Sequence, residues 1–468
     1  MTIQNPTYLF YDIETTGLNK CFDQVLQFAA IRTDHAFNEL SRDEITVRLN
    51  TDVIPSPGAV ITHRIGVTQF SDGLTEYDAI QKIHALMNTP NTISVGYNSL
   101  GFDDEFLRFS FYKNLLPPYT HQYANQCGRM DIYPITLLYY LFKPDHLQWP
   151  TQNDSVNFKL ENINAQNHLF EGQAHNAMVD VEVTLALAKK LSRDKSMWDF
   201  VTGYFHKKTD EERIANNPLG FMINGKIGSQ SQFIAPVMNL GHHQHYKNQS
   251  LWLRLDNEYL TKTTKNSIKE NTHIFRKRLA EPPVFLPIKE RYLSLLSDTR
   301  KQLFEKNKQW VSENPALLKS IAEFYQHEKY PEVPERDMDA ALYDIGFSTS
   351  VEEKLFQQFH AAKPDKKSSI ATQFPNPLRQ ALAMRILGRH FNAHLSSQEK
   401  HTFDNYLKSI YSENAVSPVD FRGEKKLTAT QALIDIGTLQ KNKLLDEVQK
   451  KLLIGLKIYL EEKSHGFE

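Results

Sequence analysis

The apolar positions of the chain change their spacing along its length, and each change predicts a different kind of element. Short alternating or continuous apolar runs at 7–13 (TYLFYDI), 25–33 (VLQFAAIRT) and 44–49 (EITVRL) predict three strands. The short polar segments between them predict antiparallel neighbours. Helical spacing follows at 77–87, a buried strand at 92–97 (TISVGY), and further helices at 103–115, 131–142 and 176–191. In the last of these Ala177, Val181, Leu185 and Ala188 fall on one face, and Asn176 is placed to cap the helix. Between 218 and 255 the pattern shortens again into β-like runs (FMING, SQFIAPVM, SLWLRL) punctuated by Gly, Asn and His. From about residue 298 it becomes helical, interrupted by KYPEVPERD at 329–337, a Pro-rich charged stretch that reads as a boundary. The expected organisation is an α/β domain over 1–195, a β-rich domain with helices over 200–345, and a helical domain over 349–468.

Length agrees with this division, since 468 residues exceed what one ordinary core holds. Hydrophobic residues make up 40% and charged residues 23%, the balance of a globular chain. The net charge of −1 means that any surface for a polyanion is local and not global. No apolar run approaches the roughly 20 residues that cross a bilayer, and the first residues do not read as a signal peptide. No membrane association is therefore expected. Two cysteines, Cys21 and Cys127, make no disulfide framework and suggest a reduced, cytoplasmic setting.

The candidate chemistry is acidic. Asp12 and Glu14 lie two apart at the end of the first strand, so both project to one side. Taken alone, the pair also describes a solvated strand end. Asp103 follows a second strand at the start of a helix, in GYNSLGFD, where an acid commonly caps. Asp180, one turn inside a helix, stands in the largely apolar stretch 177–183, with His175 five residues earlier. Four carboxylates from separate segments suit hard divalent cations.

These segments resemble the DEDD exonucleases with a catalytic His, and within them the bacterial exonuclease I family. FYDIETTG is similar to the first exonuclease motif, with QFAAIRTD after it. GYNSLGFDDEFLR resembles the second motif, and NFKLENI with AHNAMVDVEVT the third. DMDAALYDIGFS, at 337–348, resembles the start of that family's helical C-terminal domain. The resemblance implies an RNase H-like exonuclease domain, an SH3-like β-rich domain and an α-helical C-terminal domain. It places metal ligands at Asp12, Glu14, Asp103 and Asp180 and a general base at His175. It implies two Mg²⁺ ions, which Mn²⁺ can replace. The implied activity is processive 3′→5′ degradation of single-stranded DNA to 5′-mononucleotides, in DNA repair and recombination. A monomer that contacts the C-terminal tail of single-stranded-DNA-binding protein is also implied.

Of the adjacent acids in the second motif, the family pattern points to Asp103, leaving Asp104 facing away. The terminal nucleotide is expected against Glu14, Thr15, Thr16 and Gly17. Tyr97, Asn98 and Phe102 flank the second motif, where an aromatic either stacks on a base or packs in the core. Arg108, Lys113 and Arg129 are candidates for DNA-backbone contacts or solvated surface charges. Lys159 stands where the family often has Arg, keeping the charge without the bidentate fork. The basic residues Lys262, Lys265, Lys269, Arg276, Lys277 and Arg278 read either as a solvated loop or as a rim over single-stranded DNA. The His-rich stretch GHHQHYK at 241–247 reads as a loop. Because the motifs end by Asp180, chemistry is expected to need only the first domain. Two other functions share these features: an RNA-trimming exonuclease of the same chemistry, and an inactive single-strand-binding scaffold.

Overall fold

A mixed five-stranded sheet organises the first part of the chain. The structure, a computed structural model, describes residues 6–153, 155–172, 176–227, 232–412 and 416–466, without the side chain of Phe70. The sheet strands are β1 (Thr7–Thr15), β2 (Val25–Thr33), β3 (Glu39–Thr46), β4 (Thr92–Gly96) and β5 (Gly128–Asp131), in the order β3-β2-β1-β4-β5. The first three are antiparallel, whereas β4 and β5 run parallel to β1. The third strand lies five residues upstream of its expected start. Its sequence ELSRDEIT buries only Ile45, so this edge strand carries no apolar alternation to read.

Alternation along β1 divides the core. Leu9, Tyr11 and Ile13 pack with Ile80, Ile83, Phe106 and Leu107 of α1 (Glu76–Met87) and α2 (Asp103–Lys113). Tyr8 and Phe10 enter the opposite layer with Leu138 of α3 (Ile132–Phe142) and Val181 and Leu185 of α4 (Ala177–Leu191). Asp12 and Glu14 continue that second face, which turns them towards the start of α4.

A second, curled sheet is wholly antiparallel. Its strands are β6 (Leu219–Ile227), β7 (Gln232–His242), β8 (Gln249–Arg254), β9 (Ile274–Arg278) and β10 (Val284–Pro287), in the order β9-β8-β7-β6-β10. Met222, Val237, Trp252 and Phe285 pack together on one of its faces. Helices α5 (Asp298–Glu313) and α6 (Pro315–His327) cover the other. Phe221, Ile223 and Leu286 join the first domain's core beside α3. The basic cluster expected over this region is mostly spent within it. Lys277 is buried on Asp210 at 2.5 Å, Arg276 pairs with Glu328 at 2.8 Å and Arg278 with Glu281 at 3.5 Å. In the His-rich stretch, buried His243 bonds the Glu328 carbonyl and accepts the N–H groups of His245 and Tyr246, which is loop architecture.

The helical C-terminal region comprises chiefly α7 (Ser350–Ala361), α8 (Pro377–His390), α9 (Ser397–Tyr411), α10 (Ala429–Leu439) and α11 (Glu447–Ser464). It shares its core with the first domain. Cys21, Phe22, Tyr77, Phe109 and Tyr112 pack with Phe359, Leu382 and Ile386, and Ile54 and Val60 with Leu453 and Leu456. A buried ion network crosses the same boundary. The Asp52 carboxylate accepts from Arg389 at 2.7 Å, Tyr406 at 2.9 Å and Lys426 at 3.4 Å. Arg389 also reaches Asp339 at 2.5 Å, and Arg385 bridges Asp339 to Asp337. Among the described residues no helix is long and apolar enough to cross a membrane.

Candidate active site

The site forms where the strands of the first sheet separate. Pairing between β1 and β4 ends at Phe10–Val95, so the last residues of β1 lose their neighbour on that side. The crevice at the carboxyl ends of parallel strands is the customary ligand position in such sheets. Asp103 enters it: its carboxylate takes the Ile13 N–H and its own. Across the strand, carboxylate oxygens of Asp12, Glu14 and Asp180 lie within 4.8 Å of one another, all three residues half-buried.

These acids destabilise one another's charge. Burial, then the neighbouring Asp103, Asp180 and Glu14, holds the Asp12 carboxyl well above the usual range. Burial and the charges of Asp180 and Asp103 push Glu14 up to about 8. Asp103 is also raised to about 8, first by burial and then by Asp131 and Asp104, against two backbone hydrogen bonds. Among the described residues no basic side chain stands between these mutually repelling carboxylates, and they form an all-oxygen donor set that fits a divalent cation. His175 lies outside the described residues. Asn176 caps α4 through the Val179 N–H, so the third motif does open a helix.

Asp104 points the other way. It is fully buried and held by Arg129 at 2.6 Å, His121 at 2.9 Å and Arg108 at 3.3 Å, which together keep its carboxyl well below the usual range despite burial. Arg129 extends to Glu281 of the second domain at 2.8 Å. Arg108 and Arg129 are therefore committed to internal ion pairs where a DNA contact was expected. Lys113 is also corrected: it is buried and donates to the Asp23 carbonyl at 2.9 Å.

The loop after β1 is similarly tied to itself. Thr15 donates to the Gly17 carbonyl and Thr16 to Asp23, both at 2.8 Å. A side chain at Gly17 would meet the Asp23 carboxylate at 2.5 Å, so this glycine answers a contact within the loop. What the loop leaves to solvent is Leu18, 83% exposed. Tyr97 donates to the Phe158 carbonyl at 2.6 Å and meets Tyr133 edge-on, which makes it a wall. Phe102 is half-buried against Phe106. Asn98 is exposed at φ 57°. With Lys159, Phe158, Lys226 and Phe233, Tyr97 and Asn98 line an open cleft of about 660 Å³ between the first and second domains. The Lys159 ammonium is exposed there, 3.7 Å from Glu161.

Asp131 escaped the sequence reading. Its buried carboxylate accepts from Asn98 at 2.8 Å, Tyr133 at 2.9 Å and Leu100 at 3.3 Å, pinning the loop that delivers Asp103. Burial raises it to about 6 against those bonds. The only signal was an acid at the expected start of α3, which any helix cap would supply.

A crevice of paired acids on a mixed sheet of this order is the arrangement of a metal-dependent exonuclease, and the matched family models agree. Residues 9–188 match the exonuclease model and residues 336–463 the exonuclease I C-terminal domain. Exodeoxyribonuclease I of Escherichia coli is 26% identical over 434 residues, 87% of this chain and 90% of that protein. The Buchnera aphidicola (Acyrthosiphon pisum) enzyme is 35% identical over 201 residues, 42% of this chain and 49% of that protein. In structure, E. coli exonuclease I in complex with a dA16 oligonucleotide superposes with a TM-score of 0.86 at 23% identity, covering 98% of this chain and all of that one. E. coli exonuclease I has also been solved in a zinc-bound form with single-stranded DNA, and an exonuclease I is known in an SSB complex with an inhibitor. The chain belongs to the exonuclease I family.

Proposed function

We propose that the protein removes 5′-mononucleotides from the 3′ end of single-stranded DNA, processively, as a step in DNA repair and recombination. The observation that carries this is the convergence of Asp12, Glu14 and Asp180 within 4.8 Å, with Asp103 bonded to the strand between the first two. Asp12, Glu14, Asp103 and Asp180 hold two Mg²⁺ ions, which Mn²⁺ can replace. Carboxylate oxygens favour such hard cations over zinc, whose usual partners are His and Cys. When bound, a pair of divalent ions neutralises charge on the scissile phosphate and activates water for in-line attack. His175 accepts the proton of the attacking water. The cleft shared by Tyr97, Lys159 and Lys226 supports retention of a strand by two domains at once. Lys159 supplies a phosphate contact.

Single-stranded DNA as substrate is supported by the complexes of the structural relatives, and the C-terminal tail of single-stranded-DNA-binding protein as partner by the SSB complex. We further propose a monomer in the cytoplasm, where Cys21 and Cys127 stay unpaired. The test is digestion of end-labelled single-stranded DNA, duplex DNA and RNA side by side, with Mg²⁺ or chelator. Mononucleotides should be released from the 3′ end of single-stranded DNA only when metal is present. Preferential trimming of RNA, or cleavage insensitive to chelator, would overturn the reading.

A further inference from the structure

The catalytic residues end by Asp180, yet two side chains beyond residue 340 reach the loops that carry the acids. The first is Asp420, buried in a turn of the C-terminal region. One of its oxygens is fixed by the N–H groups of Arg422 at 2.8 Å and Glu424 at 2.9 Å. The other accepts the side-chain amide of Asn19 at 3.1 Å. Asn19 organises the loop after β1. Its own side-chain oxygen accepts the Cys21 N–H at 3.0 Å, and its backbone N–H binds Asp23, the acid that holds Thr16. Asp420 thus orients the residue around which the first motif's loop is wound.

The second is Tyr343. Its hydroxyl donates to Glu105 at 2.6 Å, in the first turn of α2, two residues after Asp103. The same Glu105 is paired with Lys20, and Lys20 also donates to the Gly101 carbonyl at 2.6 Å. Lys20 follows Asn19 in the first loop, while Gly101 and Glu105 flank Asp103 in the second. This bridge crosses the gap between the strand bearing Asp12 and Glu14 and the helix bearing Asp103. Phe421 completes the contact, stacked on Phe109 of α2 with centroids 5.8 Å apart and rings 7° from parallel. Tyr343 meets both rings edge-on.

We infer that the C-terminal region sets the spacing of the carboxylates, with Asp420 and Tyr343 as positioning residues for the two acid-bearing loops. This rests on the metal-dependent reading of the site and replaces the expectation that the first domain suffices for chemistry. Metal ligation tolerates little displacement, and residues that orient ligands change metal affinity or activity by about 10–100-fold when removed. Neither residue reaches the acids directly, so they act through Asn19 and through Glu105 with Lys20.

The experiment compares full-length wild type with Tyr343→Phe, Asp420→Ala and Asp420→Asn. Mn²⁺ affinity is measured by calorimetry without DNA, and kcat and KM on single-stranded DNA with Mg²⁺. Tyr343→Phe deletes one hydroxyl and keeps the ring packing, so it stays informative if Asp420→Ala misfolds. Tyr343→Phe and Asp420→Ala should each weaken Mn²⁺ binding and lower kcat about tenfold. KM should stay within about twofold, and Asp420→Asn should recover most of the loss by keeping an acceptor for Asn19. Wild-type Mn²⁺ affinity and kcat in a folded Tyr343→Phe protein would overturn the inference. So would a change confined to KM, which would make these residues part of strand binding. If wild type fails to cleave DNA, the proposed activity falls, but the Mn²⁺ titrations still decide whether the bracket shapes the acidic site.

Discussion

Two groups of acids in this molecule, one largely half-buried and one fully buried, are oppositely treated. At the candidate active site Asp12, Glu14 and Asp103 face one another without a cation among the described residues, and their carboxyls are held above the ordinary range. At the boundary with the C-terminal region, burial raises Asp52 and Asp339 too, but Arg389 outweighs it, aided at Asp52 by Lys426 and at Asp339 by Arg385, so both fall below. The difference lies in where the countercharge comes from. The boundary carries its cations in the sequence and is complete on folding. The acidic crevice has no such partner among the described residues, and its repulsion is what a divalent ion would relieve in the proposed function.

The sharpest way to break this comparison is to remove an acid from the crevice and a cation from the boundary. Asp12→Ala and Asp180→Ala should abolish cleavage at saturating Mg²⁺ while the metal-free protein melts no lower than wild type, since repulsion is relieved. Near-normal nuclease activity in either would end the assignment. His175→Ala should slow the single-turnover step about 10²–10⁴-fold with little change in DNA binding by fluorescence anisotropy. Normal cleavage with poor binding would make His175 a substrate contact.

At the boundary the expectation reverses. Arg389→Leu takes the shared cation from two buried carboxylates, and breaking such a network costs about 3–5 kcal/mol, readable in denaturant unfolding. A loss below about 1 kcal/mol would mean that water replaces the guanidinium. A pH series separates the two sites by sign. Glu14 and Asp103 are raised when folded, so their contribution is present below about pH 4 and is lost as pH rises towards 8. Asp52 and Asp339 are depressed, so theirs is present above about pH 4 and is lost as pH falls. The metal-free protein should therefore lose stability from this site between pH 5 and 8, and Mg²⁺ should restore more melting temperature at pH 8 than at pH 6. An equal Mg²⁺ effect at both would contradict the raised carboxyls. The smallest effect belongs to an exposed cation: Lys159→Ala should reduce the salt slope of DNA binding by about one, leaving stability unchanged. An unaltered slope would remove Lys159 from the phosphate path.

The same contrast explains what could be read from the chain. The acidic cluster was legible because β1 alternates, so Asp12 and Glu14 share a face by geometry alone, and because Asp180 interrupts an apolar helix face. The helices at 76–87 and 177–191 were legible from their periodicity. Strand β5 was not, since GRMD has four residues and no pattern. The buried network was out of reach because Asp52 sits in an ordinary polar loop and its partners lie more than 300 positions away. Lys113 and Arg129 looked like surface charges for the same reason. A charge is buried only when its partner is present, and the Asp23 carbonyl that takes Lys113 and the Asp104 and Glu281 carboxylates that take Arg129 are distant in sequence. Asn19 and Lys20 carried no local sign of their role, which exists only once Asp420 and Tyr343 arrive.

That late arrival bears on how the protein is made. Asp52 and Arg389 are separated by 337 residues, and ribosomes add roughly 5–20 residues per second. The growing chain therefore holds Asp52 without its guanidinium for about 20–70 s. Phe22, Tyr77 and Phe109 likewise wait for residues between 340 and 395 that cover them. Part of the N-terminal core is therefore completed only by residues made much later. It waits, with apolar surface open to chaperones, for the final quarter of the polypeptide to leave the exit tunnel.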